Sequence, residues 1–545
     1  MQSPVELLEE IHRLMELKGE NLFKVRAFEK AIHVLSGRDD IETRVKAGTL
    51  TELEGIGKGI AAVLTEYVSE GESSLKTELS ASIPEGLLEL TSLPGLGPKK
   101  AMVLIEELGI QSIGELEYAC RENRLQSLKG FGLKTQQKIL DSIEFHRQSS
   151  GRKRLDQALP VSGEVLKALT KLVGEGRVSE TGAIRRRLET IAELEYLVEL
   201  PEAAASKQKD LRSKVDQLIE KLRSGVAGGS EVRALYAEPA RYGYELARTT
   251  ATHEHWAALG EPKPFDARNE EDFYAKLKLP WIPPEAREFG EEVKLAKAGK
   301  LDELLPTDGI QGVFHNHTTR SDGTATLEQM VVAAKKLGYK YIGISDHSQS
   351  AFYAQGLKKD DLLSQEKEIR DLQDKYPEIQ IFWGIESDIL ADGSLDYDPS
   401  LLKRFDFVIA SIHSRFKMDR EAMTDRIIEA IRNPYTRFVG HITGRLLLGR
   451  KGYDVHMEKL IAEAAAHDVA IEINAHPQRL DIDWRWGPEL RKRKTLVSIN
   501  PDAHEIEGLK DTAYGVTMAR KALMPGSSVV NSWSAKDVAR WLKRG

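Results

Sequence analysis

The stretch GVFHNHTTRSDG (312–323) is a short apolar run followed by His315 and His317, two residues apart, with Asp322 a few positions further along the loop. The arrangement recurs. YIGISDHS (341–348) carries His347, FWGIESDI (382–389) Glu386, FVIASIHS (407–414) His413, FVGHIT (438–443) His441, and LVSINPDAH (496–504) Asp502 and His504. Amphipathic stretches lie between the runs, such as LEQMVVAAKKLG before YIGISDH and HMEKLIAEAAAH before VAIEINA. Strand-like runs alternating with helical ones predict a parallel βα barrel from 305 onward. Functional groups in such a barrel gather at the carboxyl ends of its strands. Eight of the nine residues fall where an apolar run has just ended, and the loop with Asp322 leaves the same face. His, Asp and Glu together are ligands of borderline-to-hard divalent ions such as zinc, manganese or iron. Nine are more than one tetrahedral ion uses, so the pattern predicts a cluster. Six of the fourteen histidines belong to it, which argues against accident.

A chain of 545 residues is too long for one core, and three or four domains are expected. Four segments are expected, 1–80, 81–150, 151–300 and 305–545, the first two helical, the third mixed and the last alternating strands and helices. No apolar run approaches a membrane span. The amphipathic MQSPVELLEEIHRLMELKGE lacks the apolar centre and cleavage site of a secretory signal. A single cysteine, Cys120, excludes an intramolecular disulfide and thiolate metal sites. These features predict a cytoplasmic protein without a membrane partner. The net charge of −7 excludes a broadly basic, nucleic-acid-coating surface, so any DNA contact must be local.

Three breaks between the helical stretches of 1–150 share one pattern: LEGIGKGIA (53–61), LPGLGPKKA (93–101) and LKGFGLKTQ (128–136). Glycine permits the positive φ of a tight turn. The helix that follows then points its free N–H groups outward, where an anion can bind. The pattern resembles the helix-hairpin-helix motif, which grips DNA phosphates without reading sequence. It nominates Gly55, Gly57, Lys58, Gly95, Gly97, Lys99, Lys100, Gly130, Gly132 and Lys134, with Lys129 beside them. Residues 1–150 carry 18 Lys and Arg against 24 Asp and Glu, so phosphate attraction must come from the hairpins themselves.

The order of hairpin region, mixed middle region and His-rich barrel resembles bacterial family X DNA polymerases that carry a polymerase-and-histidinol-phosphatase (PHP) domain. The likeness runs over essentially the whole chain. It implies an all-α helix-hairpin-helix region, an α+β nucleotidyltransferase-like palm and thumb, and a distorted seven-stranded βα barrel. In the barrel all nine family ligands are matched: His315, His317, Asp322, His347, Glu386, His413, His441, Asp502 and His504. The resemblance implies a three-metal cluster, zinc or manganese with iron as a further candidate, that hydrolyses phosphoesters and trims DNA from the 3′ end. Glu386, His413, Asp502 and His504 are the expected catalytic centre, with Glu386 bridging two ions. DNA with gaps, nicks or 3′ ends is the implied partner, a nucleoid-associated monomer the implied state.

The middle region departs from the family pattern. GAIRRRLETIAELEYL (182–197) keeps Gly182, Arg185, Arg186, Glu189 and Thr190. The family's phosphate-binding Ser is Ala183, its Asp pair is Glu193 and Glu195, and its third Asp aligns with Arg233. An added methylene shifts each carboxylate, and magnesium tolerates little departure from octahedral geometry. A degenerate palm without magnesium is expected, with Thr250, Ala251 and Thr252 in place of the family's Thr-Gly-Ser. Where lyase-active relatives have a Lys after the first hairpin, this chain has Val63.

Other residues carry plainer readings. His467 is expected in the core and His476 beside the cage without being a ligand. Arg415 and Arg445 are candidates for substrate phosphate or for barrel salt bridges. The basic run 491–494 reads as a solvated helix end, Trp484 and Trp486 as rim packing, and GRKRLDQALP (151–160) as a basic linker. The leading function is a DNA-repair 3′-to-5′ exonuclease, with abasic-site cleavage or 3′-phosphate removal as further reactions. The alternatives are a residual gap-filling polymerase, a histidinol-phosphatase-like enzyme and a non-catalytic DNA scaffold.

Overall fold

The computed structural model describes residues 3–18, 20–35, 38, 40–84, 86–93, 95–148, 152–225 and 230–543. Pro94 of the second hairpin and residues 149–151, where a domain boundary is expected, lie outside them. The chain forms two compact units, Met1–Leu116 and Glu117–Gly545. Among the described residues no helix is long and apolar enough to cross a membrane.

The first unit is helical, built on a core that includes Leu7, Leu8, Ile11, Ile60 and Leu64. In both of its hairpins the first glycine has a left-handed backbone, Gly55 at φ 103° and Gly95 at φ 85°. The second glycine is extended and caps the next helix, Gly57 before Lys58–Glu70 and Gly97 before Pro98–Leu108. Pro98 suits that first helical position, where its missing N–H has no partner to lose. Val63 packs inward in this core. The third hairpin falls in the second unit, with Gly130 at φ 91° before the helix Leu133–Gln148. Lys58, Lys99, Lys100, Lys129 and Lys134 are all exposed.

The expected linker at 151–160 is corrected by the structure. Lys153–Arg154 pairs antiparallel with Thr190–Ile191, and Leu155–Val173 is a 19-residue helix. Arg154 is fully buried, held by Glu117 at 2.9 and 3.1 Å and by Asp156 at 3.2 Å. A guanidinium survives such burial only when paired on this scale. The basic run therefore looked solvated because its partner, Glu117, lies 37 positions earlier in the chain.

A three-stranded sheet follows. Strand β1 (Val178–Thr181) runs antiparallel to β2 (Glu193–Glu199), which runs parallel to β3 (Glu231–Ala237). The helix Leu155–Val173 contributes Val165 and Leu169, and Ala205–Ser224 contributes Val215 and Ile219, to one core with Leu194 and Val232. Residues 242–297 add four helices around Tyr244, Phe273 and Tyr274. The frame arginines of the palm pattern are consumed internally. Glu270 accepts from Arg185 at 2.7 and 2.6 Å and from Arg287 at 2.6 and 3.0 Å. Arg186 reaches Glu288 at 3.2 Å and the Thr250 carbonyl at 2.6 Å.

Seven parallel strands then follow in sequential order: β4 (Gly312–Val313), β5 (Tyr341–Ile344), β6 (Gln380–Asp388), β7 (Phe407–Ser411), β8 (Thr436–Val439), β9 (Ala470–Asn474) and β10 (Val497–Asn500). Phe314, Tyr341, Phe382, Phe407 and Phe438 fill the interior, joined by Trp541 of the last helix. The outer face packs against the helices, including Leu327–Lys336 and Met457–Ala466. The barrel is nearly closed. The Asn531 side chain bonds both β4 and β10, to the Gly312 carbonyl at 3.0 Å and to Ile499 N and O at 2.6 and 2.8 Å. Beyond the strands, His317 N donates to Ala503 O at 2.9 Å and Ala503 N to His315 O at 3.3 Å.

Trp484 packs edge-on to Phe289 and donates to Glu189 at 2.9 Å, which ties the middle region to the barrel rim. Arg491 bonds Glu291 and the Ala522 carbonyl, so only the rest of the basic run is solvated. His467 is exposed, correcting its expected core position: it sits one residue past Met457–Ala466 with Nδ1 3.1 Å from the Glu463 carbonyl.

The Glu270 cluster is open to measurement. Burial alone would raise this carboxyl, but Arg287 and Arg185 hold it down at about 2. Its contribution is present above about pH 4.5 and is lost as pH falls through about 2. Glu270→Ala leaves Arg287, fully buried, without its carboxylate. A loss of about 3–5 kcal/mol at neutral pH is expected in urea denaturation.

Candidate metal centre

The nine candidate ligands converge. His315 and His317 follow β4, His347 follows β5, His413 follows β7, His441 follows β8, and Asp502 and His504 follow β10. Glu386 lies within β6 rather than beyond it, so its side chain reaches the mouth from the barrel wall. All nine are buried or nearly so, His413 being the most exposed at 10% of its side chain. Three adopt left-handed backbones, His315 at φ 56°, His441 at φ 24° and Asp502 at φ 53°. Each such residue costs about 1 kcal/mol or more and persists where the surroundings demand it. Gly440 shows why the approach is tight: a Cβ there would lie 3.0 Å from Ile409 Cγ2 and collide with the Ser411 hydroxyl.

Glu386 is the hub. Its Oε1 lies 3.1 Å from His315 Nε2, 3.0 Å from His441 Nε2 and 3.3 Å from His413 Nε2. Its Oε2 faces a different set, His347 Nδ1 at 3.0 Å and His317 Nε2 at 3.7 Å. Asp502 Oδ1 lies 3.4 Å from His315 Nε2 and 3.3 Å from His317 Nε2. Asp322 sits between His504 Nε2 at 3.4 Å and His347 Nε2 at 3.5 Å. The imidazole of His317 stacks on that of His504 at 4.2 Å and on that of His347 at 4.4 Å. Ligand-type atoms thus form overlapping groups: His317, Asp322, His347 and His504; His315, Glu386 and His441; His315, His317 and Asp502; His347, Glu386 and His413.

Divalent ions fit this donor set. Buried polar atoms normally find hydrogen-bond partners. Here His315 Nε2, both ring nitrogens of His317, Asp322 Oδ2, Glu386 Oε2 and His504 Nε2 are buried without one. Stacked imidazoles around orphaned carboxylate oxygens are the arrangement that a cation satisfies. The charges already lean that way. Burial penalises every one of these groups, yet the histidines hold Glu386 and Asp502 well below the usual carboxylate range. In return, Glu386 and Asp388 keep His413 up at about 9 despite its burial.

Supporting contacts not nominated by the strand-end pattern orient the rings. His315 Nδ1 lies 2.6 Å from Glu472 Oε1, and His413 Nδ1 lies 2.6 Å from Asp388 Oδ1. Glu472 also accepts from His441 N at 2.7 Å and from Asn500 Nδ2 at 2.9 Å. An acid inside the apolar run VAIEIN was the available signal for Glu472. Asp346 of the SDH triplet braces the Asp322 loop instead of joining the cage, accepting from Thr318 N at 2.7 Å and Ser321 Oγ at 2.5 Å.

The two arginine candidates separate. Arg445 is committed to Asp483 and to the carbonyls of Arg479 and Leu480, so the salt-bridge reading replaces the phosphate one. Arg415 is exposed two residues after His413, with a left-handed backbone at φ 56°. The guanidinium that reaches the cage is Arg479, buried, with Nε 3.5 Å from Asp502 Oδ2. His476 packs edge-on to Tyr118 at 5.4 Å, beside the cage.

In the palm pattern, Glu195 pairs in register with Arg233 and Glu193 with Glu231. The Glu195 carboxylate packs against Gly182, at φ 60°, and occupies the space a Cβ there would take. Burial and neighbouring Glu193 raise the Glu195 carboxyl, opposed by Arg233 and Arg186.

The carboxylates behind the imidazoles can be tested apart from the cage. Glu472→Gln and Asp388→Asn should each weaken divalent-metal binding about 10–100-fold in a chelator-competition titration, with the fold retained by circular dichroism. Because ligation requires neutral imidazole, metal loading should release protons near pH 8, where His413 at about 9 is still charged. A weakly buffered solution with a pH indicator measures that release.

Comparison with known proteins accords with this architecture. A helix-hairpin-helix domain model matches residues 2–73, a SAM-like helix-hairpin-helix tandem matches 87–144, and a PHP domain model matches 314–476. The chain is 35% identical to the "DNA polymerase/3′-5′ exonuclease PolX" of Bacillus subtilis (strain 168), over 99% of both chains. It is 34% identical over 29% of its length to a "probable phosphatase" of Caldicellulosiruptor saccharolyticus, covering 64% of that protein. A crystal structure of histidinol phosphate phosphatase from Lactococcus lactis overlaps 39% of this chain and 93% of that one, at 18% identity and a TM-score of 0.31. The chain belongs to the bacterial family X DNA polymerases that carry a carboxyl-terminal PHP domain.

Proposed function

We propose that this chain is a DNA-repair phosphodiesterase, a metal-dependent 3′-to-5′ exonuclease whose chemistry lies in the barrel and whose polymerase site is inactive. One observation carries the reading: the two oxygens of Glu386 face different sets of buried histidines, the geometry expected of a carboxylate shared by two ions. Three ions distributed over the nine cage residues, zinc or manganese, account for the overlapping ligand groups. Such a cluster supplies Lewis acidity, acidifying water and neutralising charge on the phosphoryl group. The residues around it do the positioning. Glu472 and Asp388 keep the Nε2 atoms of His315 and His413 aimed at Glu386. Arg479 brings a permanent positive charge to the Asp502 side, where it can meet a phosphodiester oxygen.

The division of labour follows the four segments 1–80, 81–150, 151–300 and 305–545. The hairpins, through Lys58, Lys99, Lys100, Lys129 and Lys134, hold gapped, nicked or 3′-ended DNA by its phosphates. The Bacillus relative is named as a polymerase as well as an exonuclease. Against the first activity here stand Arg233 beside Glu195 and the capture of Arg185 and Arg186 by Glu270 and Glu288. A cation in place of a metal-binding acid repels the magnesium that nucleotide transfer requires.

With manganese, a 5′-labelled oligonucleotide should shorten stepwise from its 3′ end. His413→Ala should slow this by about 100-fold or more. Equal degradation by wild type and His413→Ala would sink the assignment. Primer extension on gapped DNA should give no nucleotide addition with magnesium or manganese. Template-dependent extension that Glu193→Ala abolishes would restore the polymerase reading.

A further inference from the structure

One carboxylate reaches the cage from outside the barrel. Glu122 lies just past the helix Ile113–Arg121, with its N–H bonded to the Tyr118 carbonyl at 3.0 Å. It is only 4% exposed, and its Oε1 has no hydrogen-bond partner. That oxygen points at His504 Nε2, 3.9 Å away. Glu122, Asp502 and His504 each offer a ligand atom within 4.8 Å of the others. Two donors that share an ion at about 2.1 Å each can be no more than about 4.2 Å apart. The Glu122–His504 separation falls inside that limit.

The approach is built rather than incidental. Tyr118, one helical turn earlier and on the same face, donates its hydroxyl to Asp502 Oδ2 at 3.3 Å. Arg479 donates to the same hydroxyl at 3.2 Å and lies 4.3 Å over the Tyr118 ring. These contacts register the helix end on the barrel mouth and bring Glu122 to the outer edge of the cage. A cavity of about 520 Å³ opens beside it, lined by Glu122, Gln137, His476, Asp502 and His504. An ordinary salt bridge to His504 does not account for the arrangement. The pair makes no hydrogen bond, and Glu122 also faces Asp502 and Asp322, with Arg124 and Arg479 as the other nearby cations. Burying the Oε1 atom beside other carboxylates without a hydrogen bond is costly, and a divalent ion removes that cost.

We infer that Glu122 is a tenth ligand of the cage, supplied by the helical segment and completing the coordination of an ion held by Asp502 and His504. The inference rests on the metal-cage reading above. Because Glu122 leads into the third hairpin, ion binding and docking of that hairpin are linked, and each stabilises the other. The barrel then reports its metal occupancy to a DNA-gripping element.

The test uses the full chain, stripped with chelator and reloaded with manganese or zinc. Equilibrium dialysis with elemental analysis gives the number and affinity of ions for wild type, Glu122→Gln and Glu122→Asp. Glu122→Gln should lose one ion or bind it about 10–100-fold more weakly, with the remaining ions retained and the circular dichroism unchanged. Glu122→Asp, which keeps the charge, should fall between the two. Hydrogen exchange on wild type needs no variant: amides of 117–123 should gain protection on metal addition. Unchanged ion number and affinity in Glu122→Gln, or no metal-dependent protection at 117–123, overturns the assignment of Glu122 and leaves the nine-residue cage standing. Failure of wild type to take up any divalent ion overturns both.

Discussion

Closure of the barrel between its first and last strands is the constraint on which the rest of the site depends. Two backbone bonds join the loop after β4 to the loop after β10, His317 N to Ala503 O and Ala503 N to His315 O. They set His315 and His317 directly against Asp502 and His504, residues almost two hundred positions away in the chain. Asn531 fills the same seam one layer lower, donating to carbonyls on both strands. The aromatic interior beneath gives the seam a floor, with Phe314 packed 4.8 Å from Phe438. The left-handed backbones at His315 and Asp502 are the local cost of turning both loops inward.

Electrostatics distinguish the two polar clusters of the second unit. In the middle region, Glu270 is saturated by Arg185 and Arg287, and the carboxylate and both guanidiniums find partners. Such a network holds structure, and its loss exposes a buried charge. The barrel cage is different. Its carboxylates and imidazoles lower and raise one another's proton affinity, yet several of their atoms stay without hydrogen bonds. A folded chain tolerates that when something else is meant to occupy the space between them. The same contrast separates the arginines: Arg445 is spent on Asp483 and two carbonyls, whereas Arg479 faces the cage.

The barrel was legible because strand-end position and ligand chemistry repeat locally. Six of the seven runs from GVFHNH to INPDAH pair an apolar stretch with a candidate donor, and helix and strand periods alternate between them. The hairpins were legible for a similar reason, since a left-handed turn before a helix requires glycine at one particular position. Where the reading went wrong, the missing information was a distant partner. Arg154 read as linker because Glu117 neutralises it from across the fold. His467 read as core because an apolar helix ends there, although its own position turns outward.

Local pattern alone therefore determined the parallel barrel, the nine candidate residues that gather at its mouth and the three hairpins, because each depends on residues within a few positions of one another. Tertiary structure decided which donors share a carboxylate, that Glu472 and Asp388 orient the rings, that Arg479 rather than Arg445 faces the cage, and that Glu122 reaches it at all. Those are properties of convergence between different strands and loops, some of them hundreds of residues apart. No short-range period encodes them, because they exist only once the barrel has closed and the helix end carrying Tyr118 and Glu122 has docked on its mouth.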